Sequence, residues 1–281
     1  MDLTVLQFLA APFAASLILT GIHAYLGVHV VERGVIFVDL SLAQIAALGS
    51  IIAIFMPFSN GDPHSASSYW VSLLFTFIGA AVFSLVRSRR ARIPQEAVIG
   101  IAYAVASAAA ILAMSKTTSQ AEHLQGMLVG NILSVSWHDV WKTALLYSVV
   151  GAFHFVFRHK FLAISLDPER AEREGLSIRF WDFLFYASFG FVVTSSVAIA
   201  GVLLVFCYLI VPSVAAMLYA DRIGPRLAIG WTMGTIVSAL GVYLSLRLDL
   251  PTGATIVCTF GLVLIIMAAM RPLLGRVAAP R

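Results

Sequence analysis

Ten residues near the middle of the chain interrupt an otherwise apolar sequence: Asp167-Pro168-Glu169-Arg170-Ala171-Glu172-Arg173-Glu174-Gly175-Leu176. Six of the ten are charged, in a chain whose overall charged fraction is only 11%. The stretch also holds four of the fourteen acidic residues. Such a segment favours water, while the apolar runs on both sides of it do not. The sequence therefore predicts an aqueous segment between membrane-embedded parts of the chain.

The same ten residues carry the start and stop signals of a short helix, over about residues 167–176. Asp167 is a good N-cap, Pro168 suits the first helical position, and Glu169 complements the positive end of the helix dipole. Gly175 can adopt the left-handed conformation that ends a helix. Two turns are too short to be stable alone in water. The segment is either a solvated loop helix or a helix that docks on another protein.

Composition predicts an all-α polytopic membrane protein. The hydrophobic fraction is 60%, against about 45–50% in a typical soluble domain. The net charge of +4 and the pI near 9.3 raise the alternative of a nucleic-acid partner. The positions of the basic residues, given below, exclude that alternative. Cys207 and Cys258 both fall inside apolar runs and have no metal or redox spacing.

The apolar runs predict eight to nine transmembrane helices, because a span needs roughly 20 apolar residues. Nine apolar segments come near this length, at about residues 5–31, 35–56, 69–86, 97–114, 140–157, 180–198, 202–219, 227–246 and 255–270. The turn at 195–201 is barely polar, so the count is eight if no break occurs there. Residues 60–63 carry turn signals. Residues 124–133 look like an interfacial or re-entrant piece that is too short to span.

The basic residues predict the orientation of these spans. Fifteen of the 18 lysines and arginines fall in the loops after spans 1, 3, 5 and 7 and in the C-terminal tail. Cytoplasmic loops collect lysine and arginine. The N-terminus is therefore expected outside the cell and the C-terminus in the cytoplasm, together with the charged helix at 167–176.

Polar groups inside the spans are the candidate site residues, because they are costly in lipid. No motif of a metalloprotease, a serine hydrolase or a P-loop ATPase occurs in the chain. The intramembrane candidates are His23 in span 1 and Asp39 and Gln44 in span 2. At 1.5 Å per residue, Asp39 lies about 9 Å deep, Gln44 about 16 Å and His23 about 12 Å. Asp39 and Gln44 are about 140° apart around the helix and do not share one face.

Each candidate also has a purely structural interpretation. Asp39 either lines a pathway or pairs with His23 or with a backbone donor. Gln44 either lines the pathway or bridges two packed helices through its amide. His23, like His154 in span 5, is either functional or a hydrogen-bonded packing residue.

Several short pieces of sequence, in a fixed order, resemble the membrane permeases of zinc, manganese and iron ABC importers. They are Arg33-Gly34 through Gly49, Glu96-Ala97-Val98-Ile99-Gly100, Leu128-Val129-Gly130-Asn131-Ile132-Leu133, the segment from Leu166 to Leu176, Gly201-Val202-Leu203-Leu204 with Ile210-Val211-Pro212, and Leu248-Asp249-Leu250-Pro251-Thr252-Gly253. The resemblance covers nearly the whole chain. It implies a single permease domain over residues 1–281 in the cell (inner) membrane.

The resemblance also implies partners. The helix at 167–176 would be the coupling helix, seated in a groove of a separate ATPase subunit. The residues expected to bind that subunit are Asp167, Pro168, Glu169, Arg170, Arg173, Glu174 and Gly175. The permease would form a homodimer in the lipid bilayer and receive a divalent metal ion, its transported substrate, from an extracytoplasmic metal-binding protein. No cofactor and no nucleic acid are expected on this chain, and ATP hydrolysis is expected on the separate subunit.

One position departs from the resemblance. Family members carry an aspartate and, four residues later, a histidine in span 2, and this pair is taken to line the metal path. An ungapped match places Leu40 at the aspartate position and Gln44 at the histidine position, with Asp39 one residue early. An amide oxygen suits zinc poorly. Either the path uses Asp39 and His23 instead, or the substrate differs.

Two other classes remain as alternatives: a secondary transporter driven by an ion gradient, and a membrane enzyme. A secondary transporter typically has buried carboxylates near the bilayer midplane. In this sequence only Asp39 is clearly intramembrane, which weakens that alternative. The sequence leaves open which ion is carried and whether the transport is import or export.

Overall fold

The computed structural model describes residues 3–57, 66–87, 93–115 and 132–275. Within these ranges all regular structure is helical and no β-strand occurs, as the composition predicts. The predicted turn at 60–63, the basic cluster at 89–92 and most of the predicted re-entrant piece at 124–133 lie outside these ranges.

Eleven α-helices and one short 3₁₀ helix make up the described part of the chain. They are α1 (Leu3–Glu32), α2 (Val38–Ile54), α3 (Ala66–Val86), α4 (Gln95–Met114), the 3₁₀ helix (Ile132–Ser134), α5 (Trp137–Val156), α6 (Arg158–Leu166), α7 (Pro168–Arg173), α8 (Ile178–Ala200), α9 (Val202–Met217), α10 (Ile223–Leu248) and α11 (Thr252–Gly275).

Each of the nine predicted apolar segments falls on one of these helices, but the predicted number of spans is not confirmed. In the described ranges six helices are long and apolar enough to cross a membrane: α1, α3, α4, α8, α10 and α11. The bent pair of α5 and α6 raises this number to seven. The apolar helices α2 and α9 are shorter, with 17 and 16 residues.

The predicted weak boundary between the sixth and seventh segments is a real break. Gly201 separates α8 from α9 with a φ of 76° and a ψ of 160°. That conformation is essentially restricted to glycine. A one-residue break therefore carries no polar signal, because the glycine ends one helix and begins the next without any exposed loop.

No helix is predicted over residues 158–166, yet the structure has α6 there. The helix bends by 73° from α5. Its buried residues Phe161, Ile164 and Ser165 are spaced three and four apart, which places them on one face. The basic residues Arg158 and Lys160 dominate the local sequence and mask this apolar face.

The chain divides into two compact units. Unit 2 comprises residues 32–128 and 148–198, and in it α2 packs against both α3 and α4. Close contact with α3 depends on a small residue, since a Cβ at Gly49 would come within 2.9 Å of the Ser72 Cα. The Ser72 hydroxyl donates to the Ala46 carbonyl at 2.7 Å.

Glu96 of α4 caps the beginning of α2. Phe37, the N-cap of α2, provides no capping side chain. Instead, the Phe37 backbone N–H donates to Glu96 Oε1 at 3.0 Å. Further along, Leu48 and Ile51 of α2 pack against Ala110 and Met114 of α4. The two helices therefore run parallel, with their N-terminal ends at the same level.

Unit 1 comprises residues 1–31, 129–147 and 199–281. Its described helices also pack closely through glycine. A Cβ at Gly27 of α1 would lie 1.9 Å from the Leu209 carbonyl oxygen of α9. Between α9 and α10, Tyr208 and Ser238 form a buried hydroxyl–hydroxyl hydrogen bond of 2.9 Å. Small residues that allow close backbone approach are typical of helix contacts in membranes.

Candidate functional site

The N-terminus of α7 has the cap that the sequence predicts. Asp167 Oδ1 accepts a hydrogen bond of 3.0 Å from the Arg170 backbone N–H. Pro168 occupies the first helical position, where a missing N–H costs nothing. These two residues fix the beginning of the helix.

The C-terminus of α7 is closed by a Schellman motif. The Gly175 N–H donates to the Glu172 carbonyl and the Leu176 N–H to the Ala171 carbonyl, both at 3.0 Å. Gly175 has a φ of 83°, as the left-handed C′ position of this motif requires. A helix of six residues with both ends capped is thus defined by its own sequence.

Most residues of α7 are exposed to solvent. Within the helix only Ala171 is buried, and it is completely inaccessible to solvent. Arg170 Nε donates to Glu174 Oε1 at 2.7 Å, and this hydrogen bond raises the pKa of the Arg170 guanidinium. The helix rests on one small side chain and presents a charged outer surface.

A surface groove of about 310 Å³ lies between α6 and α7. It is lined by His159, Leu162, Ala163, Leu166, Asp167, Arg170 and Glu174. Its wall on α6 is mostly apolar and its wall on α7 is charged. Asp167, Arg170 and Glu174 were all predicted to bind a partner, and this groove brings them together.

A buried ionic cluster next to α6 was not predicted from the sequence. Asp182 of α8 accepts hydrogen bonds of 2.6 Å from Arg33 Nη1 and from Arg87 Nη1. The side chains of Arg33 and Asp182 are completely buried. Arg33 Nε also donates to Ser165 Oγ of α6 at 2.8 Å. The sequence does hold a signal for this cluster. Asp182 lies near the beginning of one apolar segment, and Arg33 and Arg87 lie at the ends of two other apolar segments.

Asp182 corrects the prediction that Asp39 is the one clearly intramembrane acid. It lies inside α8, one of the six candidate spans. The buried position is tolerable because two guanidinium groups compensate the carboxylate. These partners lie 149 and 95 residues away in the sequence, which is why local patterns did not reveal them.

Asp39 lies in the first turn of α2 and is only 1% exposed. Neither of its carboxylate oxygens has a hydrogen-bond partner in the part of the chain that the structure describes. The positive end of the α2 dipole offers some compensation for a negative charge at this position. A buried carboxylate without a hydrogen-bond donor is the arrangement expected of a cation ligand or of a protonated acid.

Gln44 lies on a different face of α2 from Asp39. Along the helix, Gln44 is followed by Leu48 and Ile51, which contact α4, whereas Asp39 is about 140° away. Gln44 is half-buried. The structure therefore does not bring Asp39 and Gln44 together on one face, in agreement with the spacing.

His23 lies in unit 1, whereas Asp39 and Gln44 lie in unit 2. Its Nδ1 is 2.8 Å from the Leu19 carbonyl oxygen, and because a carbonyl oxygen only accepts, Nδ1 carries a proton in this contact. No group of three His, Cys, Asp or Glu residues that could hold a metal ion occurs in the described ranges. His154 is a packing residue: its Nε2 lies 2.8 Å from Ser188 Oγ, and its ring stacks on Phe161.

The long apolar helices define a class, the multi-pass membrane proteins. The comparisons identify the family. Residues 5–271 match the ABC 3 transport family, and the chain belongs to this family.

Individual relatives agree with this assignment. The manganese transport system membrane protein MntC of Listeria innocua is 29% identical over 220 residues, which are 76% of this chain and 78% of the relative. The chelated iron transport system membrane protein YfeC of Yersinia pestis is 28% identical over 200 residues, 71% of this chain and 66% of the relative.

The fold is shared with a solved structure, PsaBC from Streptococcus pneumoniae in complex with Fab. The TM-score is 0.75 at 21% identity, over 92% of this chain and 90% of the solved one.

Proposed function

We propose that this chain is the permease subunit of an ABC importer that carries a divalent metal ion into the cell. The observation that carries the proposal is α7, which is capped at both ends and presents its charged surface outward. The family match supports the same conclusion. ATP is hydrolysed on a separate ATPase subunit, and its closure drives alternating access of the permease.

The ATPase subunit contacts α7 and the groove beside it. The contact residues are Asp167, Pro168, Glu169, Arg170, Arg173, Glu174 and Gly175. Both positive and negative side chains occur on this short surface. A complementary surface of the ATPase subunit can therefore recognise α7 by its charge pattern as well as by its shape. Ala171 is the buried side chain of the helix. Through it, a movement of α7 that the ATPase subunit causes is passed on to the rest of the permease.

We propose Asp39 and Gln44 of α2 and His23 of α1 as the residues that contact the metal ion during transport. Zinc, manganese and iron are the candidate substrates. Carboxylate and carbonyl oxygens are the ligands that manganese prefers, and Asp39 and Gln44 supply oxygens of these two kinds. We therefore place manganese first, which agrees with the printed name of the Listeria relative. The metal is cargo, and the chain holds no resident cofactor.

The assembly consists of two copies of the permease domain, residues 1–281, with one ATPase subunit for each copy. An extracytoplasmic metal-binding protein delivers the ion. Nine spans result when α2, α5 and α9 cross the membrane together with the six longer helices. An odd number of spans puts the two termini on opposite sides of the membrane. The excess of lysine and arginine in the loops on the side of α7 places α7 in the cytoplasm, where the ATP is, and the N-terminus outside.

The test is metal uptake by the complete transporter in proteoliposomes. Radioactive manganese, iron and zinc are supplied outside with the binding protein, and ATP is enclosed on the ATPase side. We expect uptake that requires ATP and is fastest for manganese. Uptake that is independent of ATP and follows an imposed proton or sodium gradient would instead establish the secondary transporter.

A further inference from the structure

The cluster of Arg33, Arg87 and Asp182 holds the segment that contains α7 at both ends. Before α7, Arg33 Nε donates to Ser165 Oγ at 2.8 Å, and Arg87 Nη2 donates to the Ile164 carbonyl at 3.4 Å. After α7, the same two arginines bind Asp182. Residues 166–181, which include α7, therefore form a segment whose flanking residues at both ends are bonded to the guanidinium groups of Arg33 and Arg87.

Aromatic side chains reinforce the same junction. Phe161 of α6 makes an edge contact with Trp181 and packs against Phe185 of α8. The Arg33 guanidinium lies 4.0 Å over the centre of the Phe185 ring. Polar and aromatic contacts thus join α6 to α8 at the same level, so α7 has little freedom to move independently of these two helices.

Two guanidinium groups share one carboxylate, which leaves an excess positive charge in a buried place. Arg33 Nη2 is buried and has no hydrogen-bond partner within the described ranges. A buried donor without an acceptor is costly. A change of conformation that gives Arg33 Nη2 an acceptor would remove this cost.

We propose that Arg33, Arg87 and Asp182 are positioning residues that transmit the movement of α7 to α3 and α8 during transport. The proposal rests on the proposed docking of the ATPase subunit on α7. When α7 moves, Ser165 before it and Asp182 after it move with it. Ser165 is hydrogen-bonded to Arg33, and Asp182 is bonded to both Arg33 and Arg87. Both arginines lie outside α6, α7 and α8. Arg87 lies at the end of α3, so the movement of α7 reaches a membrane-spanning helix through direct ionic contacts.

The experiment measures the number of metal ions imported per ATP hydrolysed by the complete transporter in proteoliposomes. Asp182→Asn removes the charge at nearly constant size, and Ser165→Ala removes only the hydrogen bond between Arg33 and α6. We expect at least a fivefold lower ratio for Asp182→Asn and at least a twofold lower ratio for Ser165→Ala, while ATP hydrolysis continues. Ser84→Ala is the matched control, because the Ser84 hydroxyl donates to the Ala81 carbonyl of its own helix, α3.

A merely structural cluster predicts a different result. Asp182→Asn would then lower the yield of assembled transporter, but the assembled fraction would import the wild-type number of ions per ATP. That result, or a wild-type ratio for Ser165→Ala, overturns the proposal. If the transporter with Asp182→Asn does not assemble, the number of ions imported per ATP by the Ser165→Ala transporter tests the proposal by itself. The docking of the ATPase subunit on α7 is tested separately, with Ala171→Pro. If the ATPase subunit co-purifies with this variant at wild-type yield, the subunit does not depend on α7 for binding.

Discussion

At the scale of single residues, Asp39 combines two properties that rarely occur together. It is almost completely buried, and its carboxylate oxygens have no hydrogen-bond partner in the described ranges. Asp182 is equally buried but receives hydrogen bonds from two arginines. Asp182 is thus paired within the described part of the chain, whereas Asp39 has the unpaired arrangement that the proposed contact with a passing cation requires.

The first prediction concerns the charge of Asp39. Asp39→Asn keeps the size of the side chain and removes the negative charge, so we expect metal uptake to fall at least tenfold. The melting temperature should not fall, because the carboxylate makes no hydrogen bond within the described ranges that the change could remove. Uptake and melting temperature are measured on the same preparation. A lower melting temperature that the additional change His23→Ala restores would show instead that the two residues form a structural pair.

The second prediction concerns metal selectivity at Gln44. Gln44→His replaces an amide by an imidazole, a ligand that suits zinc. We expect the ratio of zinc to manganese uptake to rise several-fold. Leu48→His, one turn further along the same face of α2, controls for a new imidazole elsewhere on the helix. Equal ratios in the wild type and in Gln44→His would remove Gln44 from the metal path.

At the scale of secondary-structure elements, the local signals of α7 were sufficient to predict it. Its N-cap, its first-position proline and its closing glycine all act within ten residues. The helix α6 was missed, because its apolar face consists of only three residues between basic ones. The ionic cluster was missed for another reason: its contacts join residues that are far apart in the sequence, and a single sequence does not specify such pairs.

The third prediction tests α7 as a docking element. Ala171→Pro places a proline ring in the helix interior, which costs about 3 kcal/mol of helix stability, and it removes the N–H that bonds to the Asp167 carbonyl. We expect wild-type amounts of permease in the membrane, but loss of the co-purifying ATPase subunit and of uptake. Ser177→Pro, at an exposed position between α7 and α8, controls for proline itself. Co-purification at wild-type yield would leave α7 as a solvated loop helix.

The fourth prediction tests the close helix contact in unit 1. A Cβ at Gly27 would overlap the Leu209 carbonyl oxygen, so Gly27→Ala should cost about 1–3 kcal/mol through overpacking. Gly21 lies on the same helix, and a Cβ there would meet no atom within 4 Å. Gly21→Ala is therefore the control, and it should leave stability unchanged or raise it, because alanine is the better helix former. Thermal unfolding of the two purified variants in detergent gives the comparison. Equal melting temperatures would contradict the observed contact.

At the scale of the whole molecule, hydropathy and charge were enough to predict an all-helical membrane protein and the positions of its apolar helices. They were not enough to fix the number of spans, because α2 and α9 are shorter than a bilayer core requires. Nor do they identify the ion, since Leu40 and Gln44 stand where the resemblance implies an aspartate and a histidine. Helix positions depend on bulk apolarity, whereas substrate choice depends on a few side chains.

The fifth prediction tests the orientation that follows from the basic residues. His138 lies at the beginning of α5 with a side chain that is 85% exposed, and Ser177 is exposed between α7 and α8. In a background with Cys207 and Cys258 replaced by alanine, we expect His138→Cys to react in whole cells with a membrane-impermeant thiol reagent. Ser177→Cys should react only after the cells are opened, because cytoplasmic loops carry the excess of lysine and arginine. Labelling of Ser177→Cys from outside would place α7 on the wrong side of the membrane for an ATP-driven partner, and the proposed function would fail with it.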